Sequence, residues 1–263
     1  INFSRDDVRI TTHYHADMVA SSLFSVIHEG GHALYELHTG RELARSNLGT
    51  GVSMGIHESQ SRFYENIIGR SRAFCSIIYP WLKEHFAPRL DHVTEDDFYR
   101  MINKSEPSLI RTEADELTYC LHIMVRYELE KRMFDGSLTA HDLPAEWNRL
   151  YKEYLGIDVP DDRQGVLQDS HWANGNIGYF PSYAIGSAYG AQYLQEMSKD
   201  LDVDAVVRSG DLTPINNWLE DRIWKHGCMK DPVALFESVC GKFDPACYVA
   251  YLEKKFTEVY GLS

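Results

Sequence analysis

Apolar residues along this chain recur at spacings of three and four far more often than they alternate, which predicts helices from one end to the other. Leu23, Phe24, Val26, Ile27, Ala33, Leu34 and Tyr35 predict a largely buried helix, with Asp17 placed to cap its start and Gly40 to stop it. Phe63, Ile67, Ile68, Phe74, Ile77 and Ile78 predict a second, opening near His57. Thr94 and Thr112 each stand before a run with acids in the first turn, as helix caps do, and the second of these helices ends at Gly136. Further helices are predicted over 146–155, 187–199, 214–225, 232–239 and 248–259. Only Val8-Arg9-Ile10-Thr11-Thr12 and the segment near Val52 alternate like strands. The expected fold is mainly α, a multi-helix body with a small β element beside the first long helix.

Composition narrows this without changing it. At 263 residues and 44% hydrophobic the chain can bury one sizeable core, and no Pro/Gly/Ser-rich linker divides it, so a single domain over 1–263 is expected. No apolar run approaches the roughly 18 residues of a membrane span, and the opening residues lack a signal-peptide pattern. The formal charge of −13 disfavours nucleic acid and anionic membranes as partners and fits a solvated acidic surface. Five scattered cysteines, at 75, 120, 228, 240 and 247, form no C-x-x-C pair and suit a reducing, cytoplasmic setting.

The chemistry concentrates in His28-Glu29-Gly30-Gly31-His32. Residues four apart share a helix face, so both imidazoles can reach one ion at about 2 Å, the pattern of the H-E-x-x-H zinc signature. Glu29 is too badly angled to join them easily but can hold a metal-bound water, which makes it the natural general base. The bland alternative is two satisfied core histidines. Gly30 and Gly31 weaken the helix by about 1 kcal/mol each relative to Ala, which implies that a backbone or a substrate approaches there. Structural zinc is usually closed by four protein ligands, often including Cys, whereas catalytic zinc keeps three and an open position. No cysteine lies near the motif, so a third ligand is needed. Glu58, in His57-Glu58-Ser59-Gln60 on the next helical pattern, is the better candidate, with Glu36 and Glu65 as alternatives or as supporting acids.

At this point the residues resemble the carboxypeptidase Taq, or thermostable carboxypeptidase 1, family of zinc metallocarboxypeptidases. Five blocks are similar in order. Asp7-Val8-Arg9-Ile10-Thr11 matches D-x-R-x-T, and His28 to His32 matches the zinc motif. His57 to Gln60 matches the block that carries the third ligand, Ile110 to Glu116 matches I-R-T-x-A-D-E, and Gly165 to Trp172 matches G-x-x-Q-D-x-H-W. The resemblance implies a zincin-like catalytic fold, one divalent metal, zinc above all, peptide substrates and a homodimer. The family's H-P-F block and the helical region before it do not precede Asp7 here. The chain is therefore expected to be a C-terminal catalytic part of a processed or cut protein, with some cleft wall absent.

Under that resemblance the loop around Asp169 and His171 belongs to the active site, and His171 is the expected donor to the oxyanion that peptide hydrolysis forms, oriented by Asp169. Tyr179 and Tyr183 are alternative phenol donors. Arg111 is the expected partner of the substrate's terminal carboxylate, since a guanidinium binds carboxylate through two hydrogen bonds. Its competing role is an ion pair with Glu113, Asp115 or Glu116. Arg9 is expected to pair with Asp7, and Asp115 or Glu116 to support a zinc-bound imidazole. The expected activity is release of single residues from peptide C-termini. Its alternatives are another gluzincin, an aminopeptidase or oligopeptidase, and a zinc-binding fragment or interaction module without catalysis.

Overall fold

Helices dominate the computed structural model, which describes residues 2–262. A short antiparallel pair, β1 (Asn2–Ser4) and β2 (Asp7–Val8), opens the chain. There follow α1 (Val19–Leu37), α2 (Met54–Arg62), a π-helical segment (Phe63–Ile68), α3 (Arg72–His85), α4 (Glu95–Ile102), α5 (Tyr119–Phe134) and α6 (Leu143–Leu155). The remainder is α7 (Pro181–Met197), α8 (Val203–Ser209), α9 (Thr213–Arg222), α10 (Pro232–Cys240) and α11 (Ala246–Tyr260). Both strands contact α1, so the small β element does lie beside the helix that bears His28 and His32. Contacts divide the chain into two compact units, one of residues up to 103 together with those from 185 onward, the other of residues 104–184.

The first unit is organised around Tyr35, Ile56, Phe63, Ile68, Tyr193, Ile215, Leu219, Trp224, Leu235 and Phe236, all buried. Burying each aliphatic or Phe side chain is worth about 1.5–3 kcal/mol, which is why α1 survives with a poor start. Its N-cap is Met18, which makes no side-chain hydrogen bond, so Asp17 is not the cap. At the other end His38 Nδ1 donates to Leu34 O (2.8 Å), and Gly40 then opens a 3-10 turn. The segment near Val52 is not a strand. Without a partner strand its backbone groups need other partners. Val52 N donates to the Tyr35 hydroxyl (3.2 Å), and the Ser53 hydroxyl caps α2 by accepting from Ile56 N (3.2 Å). Thr94 caps α4 with a full capping box, as its sequence predicts.

The second unit packs α5 against α6 through Val125, Leu129, Trp147, Leu150, Tyr151 and Leu155. Thr112 does not start α5. Residues Arg111–Glu113 make a 3-10 turn, and Asp115 collects the unpaired N–H groups before the helix, accepting from Leu117 N (2.9 Å) and Thr118 N (3.0 Å). A long connection runs from α6 to α7, broken only by a 3-10 turn at Trp172–Asn174. Glu130 pins it by accepting from Trp172 Nε1 (2.7 Å) and Gly178 N (3.2 Å).

Candidate metal centre

Close backbone approach places the donors. A Cβ at Gly31 would lie 2.6 Å from Gln60 O and 2.7 Å from Ser61 Cα, so only glycine lets α1 lie against α2 at that depth. On the far side of α2, a Cβ at Gly186 of α7 would lie 2.7 Å from Glu58 Cβ. Glu58 thus sits on a helix gripped from two sides. Gly30 by contrast has nothing within 4 Å of the place its Cβ would occupy. His28 meets Glu65 while His32 meets His57, so α1 and the α2 run are antiparallel.

His28 Nε2 and His32 Nε2 each lie 3.6 Å from the same oxygen, Glu58 Oε2. That is too long for a hydrogen bond. It is close to the roughly 3.4 Å edge of a tetrahedron whose corners stand about 2.0–2.1 Å from a central ion. One ligand atom from each of the three residues lies within 4.8 Å of the others, and Glu58 is only 2% exposed. Two imidazoles and a carboxylate are also the donor set of catalytic rather than structural zinc. The residues therefore fit a divalent ion. Glu29 stands between the two imidazoles along α1, half-buried.

Each imidazole is held from behind by a different device. His28 Nδ1 donates to Glu65 Oε2 (2.9 Å), and Glu65 also accepts from Arg62 Nη1 (3.0 Å) and Arg70 Nη2 (3.4 Å). Burial would raise the Glu65 carboxyl, but Arg62 and His28 hold it well below the usual carboxylate range. Burial lowers the His28 imidazole, yet Glu65 and Glu58 raise it above its ordinary value. His32 has no acid at its back. Its Nδ1 meets His57 Nδ1 at 2.9 Å, and burial together with His28 and His57 pushes it down to about 2, so it is neutral. Glu36 accepts from His57 Nε2 (2.6 Å) rather than joining the three donors. Glu36 and Glu65 are thus both supporting acids, and the acid behind His28 is Glu65, whereas Asp115 is engaged by its own turn.

Composition hid part of this. Ser59, Gln60, Ser61 and Arg62 are polar in type but are all buried. Each finds a partner: Gln60 Nε2 donates to Ser59 Oγ (2.8 Å), Ser61 Oγ to Glu58 Oε2 (3.0 Å), Trp224 Nε1 to Gln60 Oε1 (2.8 Å), and Arg62 Nε to Ser187 Oγ (3.3 Å). The spacing of Glu58, Arg62 and Glu65, four and then three apart, was the available signal, since those positions share one helix face. His57 carried no role in the sequence reading, and its contact with His32 has no local signature.

Apart from Arg9 and Asp7, the other predicted residues lie in the second unit. Arg111 is 5% exposed, and its Nε and Nη2 donate to Asp169 Oδ1 (3.0 and 2.8 Å), its Nη1 to the Tyr119 hydroxyl (3.0 Å). Its acid is Asp169, not Glu113, Asp115 or Glu116. Asp169 Oδ2 also accepts from Arg126 Nε (2.7 Å), and Gln168 Oε1 from Arg126 Nη2 (2.9 Å) and Arg111 N (2.9 Å). His171 Nδ1 is 3.8 Å from Asp169 Oδ1, beyond hydrogen-bond range, so the expected Asp169 orientation is not made. His171 Nε2 instead pairs with the Tyr183 hydroxyl (3.1 Å), with the Tyr179 ring alongside at 5.3 Å. Arg9 pairs with Asp7 through two 2.8 Å contacts, as expected.

Known proteins share this fold and much of this sequence. The chain belongs to the Carboxypeptidase Taq (M32) metallopeptidase family, whose profile matches residues 1–256. It is 45% identical over 259 residues to carboxypeptidase 1 of Bacillus subtilis, covering 98% of this chain and 52% of that one. It is 44% identical over 257 residues to thermostable carboxypeptidase 1 of Thermus thermophilus, covering 97% of this chain and 50% of that one. The crystal structure of an M32 carboxypeptidase from Deinococcus radiodurans superposes with a TM-score of 0.95 at 40% identity, over 98% of this chain and 52% of that one. The chain spans about half the length of the curated relatives it matches.

Proposed function

We propose that this chain is the catalytic part of a zinc-dependent metallocarboxypeptidase, with His28, His32 and Glu58 as the metal ligands. The observation that carries the reading is the 3.6 Å spacing of both imidazole Nε2 atoms from Glu58 Oε2, with Glu29 between the two on the same helix. When bound, the ion supplies Lewis acidity to the scissile carbonyl and acidifies water. Glu29 takes the proton of the attacking water and returns it to the departing amine. His171 is the proposed donor to the developing oxyanion, with Tyr179 and Tyr183 as further donors, on the strength of the motif that surrounds them. Arg111 is the proposed carboxylate holder by the same resemblance. Its pairing with Asp169 weakens that role, because an incoming carboxylate has only the remaining N–H groups to meet.

The same reading takes 1–263 as one catalytic domain, a cytoplasmic setting and a homodimer. All five cysteines are free, which supports a reducing compartment, and no described helix is long and apolar enough to cross a membrane. The half-length match favours one second reading, a metal-binding part that needs more chain to turn over.

Metal analysis coupled to timed mass spectrometry of an N-acetylated peptide tests this. Stoichiometric zinc that Glu58→Gln sharply reduces, with residues lost one by one from the C-terminus, is the expected result. Internal cleavage, or equal cleavage of free and C-terminally amidated peptides, would make the chain an endopeptidase. Bound metal without turnover selects the second reading.

A further inference from the structure

The two imidazoles that face Glu58 are supported unequally, and the support of His32 is the unusual one. An imidazole whose Nε2 lone pair faces an ion carries its proton on Nδ1 and needs an acceptor there. For His28 that acceptor is the Glu65 carboxylate. For His32 it is another imidazole, His57 Nδ1 at 2.9 Å. His57 can accept there only as the tautomer protonated on Nε2, and that N–H points at Glu36 Oε1, 2.6 Å away. Glu36 is itself fixed, accepting from Thr50 Oγ1 (2.8 Å) and Gly51 N (3.0 Å), with the Asn2 amide on its other oxygen. The Tyr35 ring packs on His57 with centroids 4.8 Å apart.

We propose that His57 and Glu36 form a positioning relay for His32: the Glu36 carboxylate selects the His57 tautomer, which selects that of His32 and aims its Nε2 toward Glu58. The proposal rests on the metal reading above and deepens it. Neither His57 nor Glu36 belongs to the three residues whose donors face one another. A residue that merely fills the space between α1 and α2 would need no such alternation of donor and acceptor, and a hydrocarbon of similar size would serve there.

Zinc affinity by chelator competition and the visible spectrum of the cobalt(II)-loaded chain test the relay without reference to turnover. His57→Leu removes the acceptor and should weaken zinc binding about ten- to a hundredfold and alter the cobalt bands, the usual range for losing an outer partner of a ligating imidazole. His57→Asn keeps an acceptor near the Nδ1 position and should recover most of the affinity. Glu36→Gln should weaken binding in the wild-type background and add little to His57→Leu, because Glu36 acts through His57. Unchanged affinity in His57→Leu, equal losses in Leu and Asn variants, or additive losses for Glu36 and His57 would each overturn the relay. Should His57→Leu not fold, the Glu36→Gln and His57→Asn results decide the matter alone. A wild-type chain whose metal content ignores Glu58→Gln would instead overturn the metal reading.

Discussion

Around Glu58, two imidazoles converge on a carboxylate at distances that suit a shared ion, whereas around Asp169 two guanidiniums converge at hydrogen-bond distances that leave no room for one. Each cluster centres on a carboxylate largely removed from solvent, with His28 and His32 half-buried around the first. They differ in sign. The first brings acceptor atoms together at a spacing that a cation would fit. The second pairs cations directly with an anion, and Arg126 is fully buried within it. Burial of polar side chains therefore does not by itself mark a reactive site. What marks one is a surplus of lone pairs over protons.

The sharpest way to break this comparison is at Glu29. Glu29→Gln keeps the shape but cannot accept a proton, so kcat on an N-acetylated peptide should fall roughly 10²–10⁴-fold while zinc content stays at the wild-type level. Retained turnover with metal present would remove Glu29 as the base.

The opposite experiment is Asp169→Asn. It leaves Arg111 and Arg126 without their shared counter-ion, and unfolding should become about 3–5 kcal/mol easier, with zinc affinity unchanged. A parallel loss of zinc would show that the two clusters are not separable.

A smaller effect is expected at Gly31→Ala. The added methyl meets Gln60 O at 2.6 Å, so α1 and α2 must part, at a cost of about 1–3 kcal/mol in denaturant unfolding and some loss of zinc affinity. Full zinc affinity in this variant would mean that the donors do not depend on that close approach.

Acid gives the smallest of these effects. Burial alone would raise the Asp169 carboxyl, but Arg126 and Arg111 hold it below the usual range. A depressed folded-state value contributes stability above the unfolded value of about 3.9, and that contribution is lost as pH falls through the folded value. Wild-type stability should thus drop more steeply below about pH 4 than that of Asp169→Asn. Identical slopes would mean that Asp169 titrates alike in both states.

What could be read beforehand was whatever depends on short spacing. His28 and His32 are four apart on one helix, so their convergence follows from 3.6 residues per turn. Glu58 was reachable because the next helix had to return along the first. Helix ends were less legible: Asp17 offered a cap that Met18 occupies, and Thr112 one that Asp115 supplies, since tertiary packing overrides weak local preferences. The alternation near Val52 was real, but a strand needs a neighbour and none was encoded nearby. The π-helical segment, where Gly69 N reaches back five residues to Tyr64 O (2.8 Å), left no mark in the periodicity. Hardest of all were pairs far apart in sequence. Arg111 meets Asp169 58 residues away, while three acids stand within the five residues that follow it.

The grip of α1 and α7 on α2 has a further outcome in ion selectivity. Because Gly31 and Gly186 bring backbone against the α2 backbone and the Glu58 Cβ, spreading the donor triangle would require those backbones to part. Calcium takes six to eight oxygens at about 2.3–2.6 Å and would require the triangle to spread, whereas zinc and its transition-metal neighbours accept nitrogen at about 2.0–2.1 Å. On the proposed metal reading, two residues with no side chain would thereby act as a calliper that favours the smaller cations.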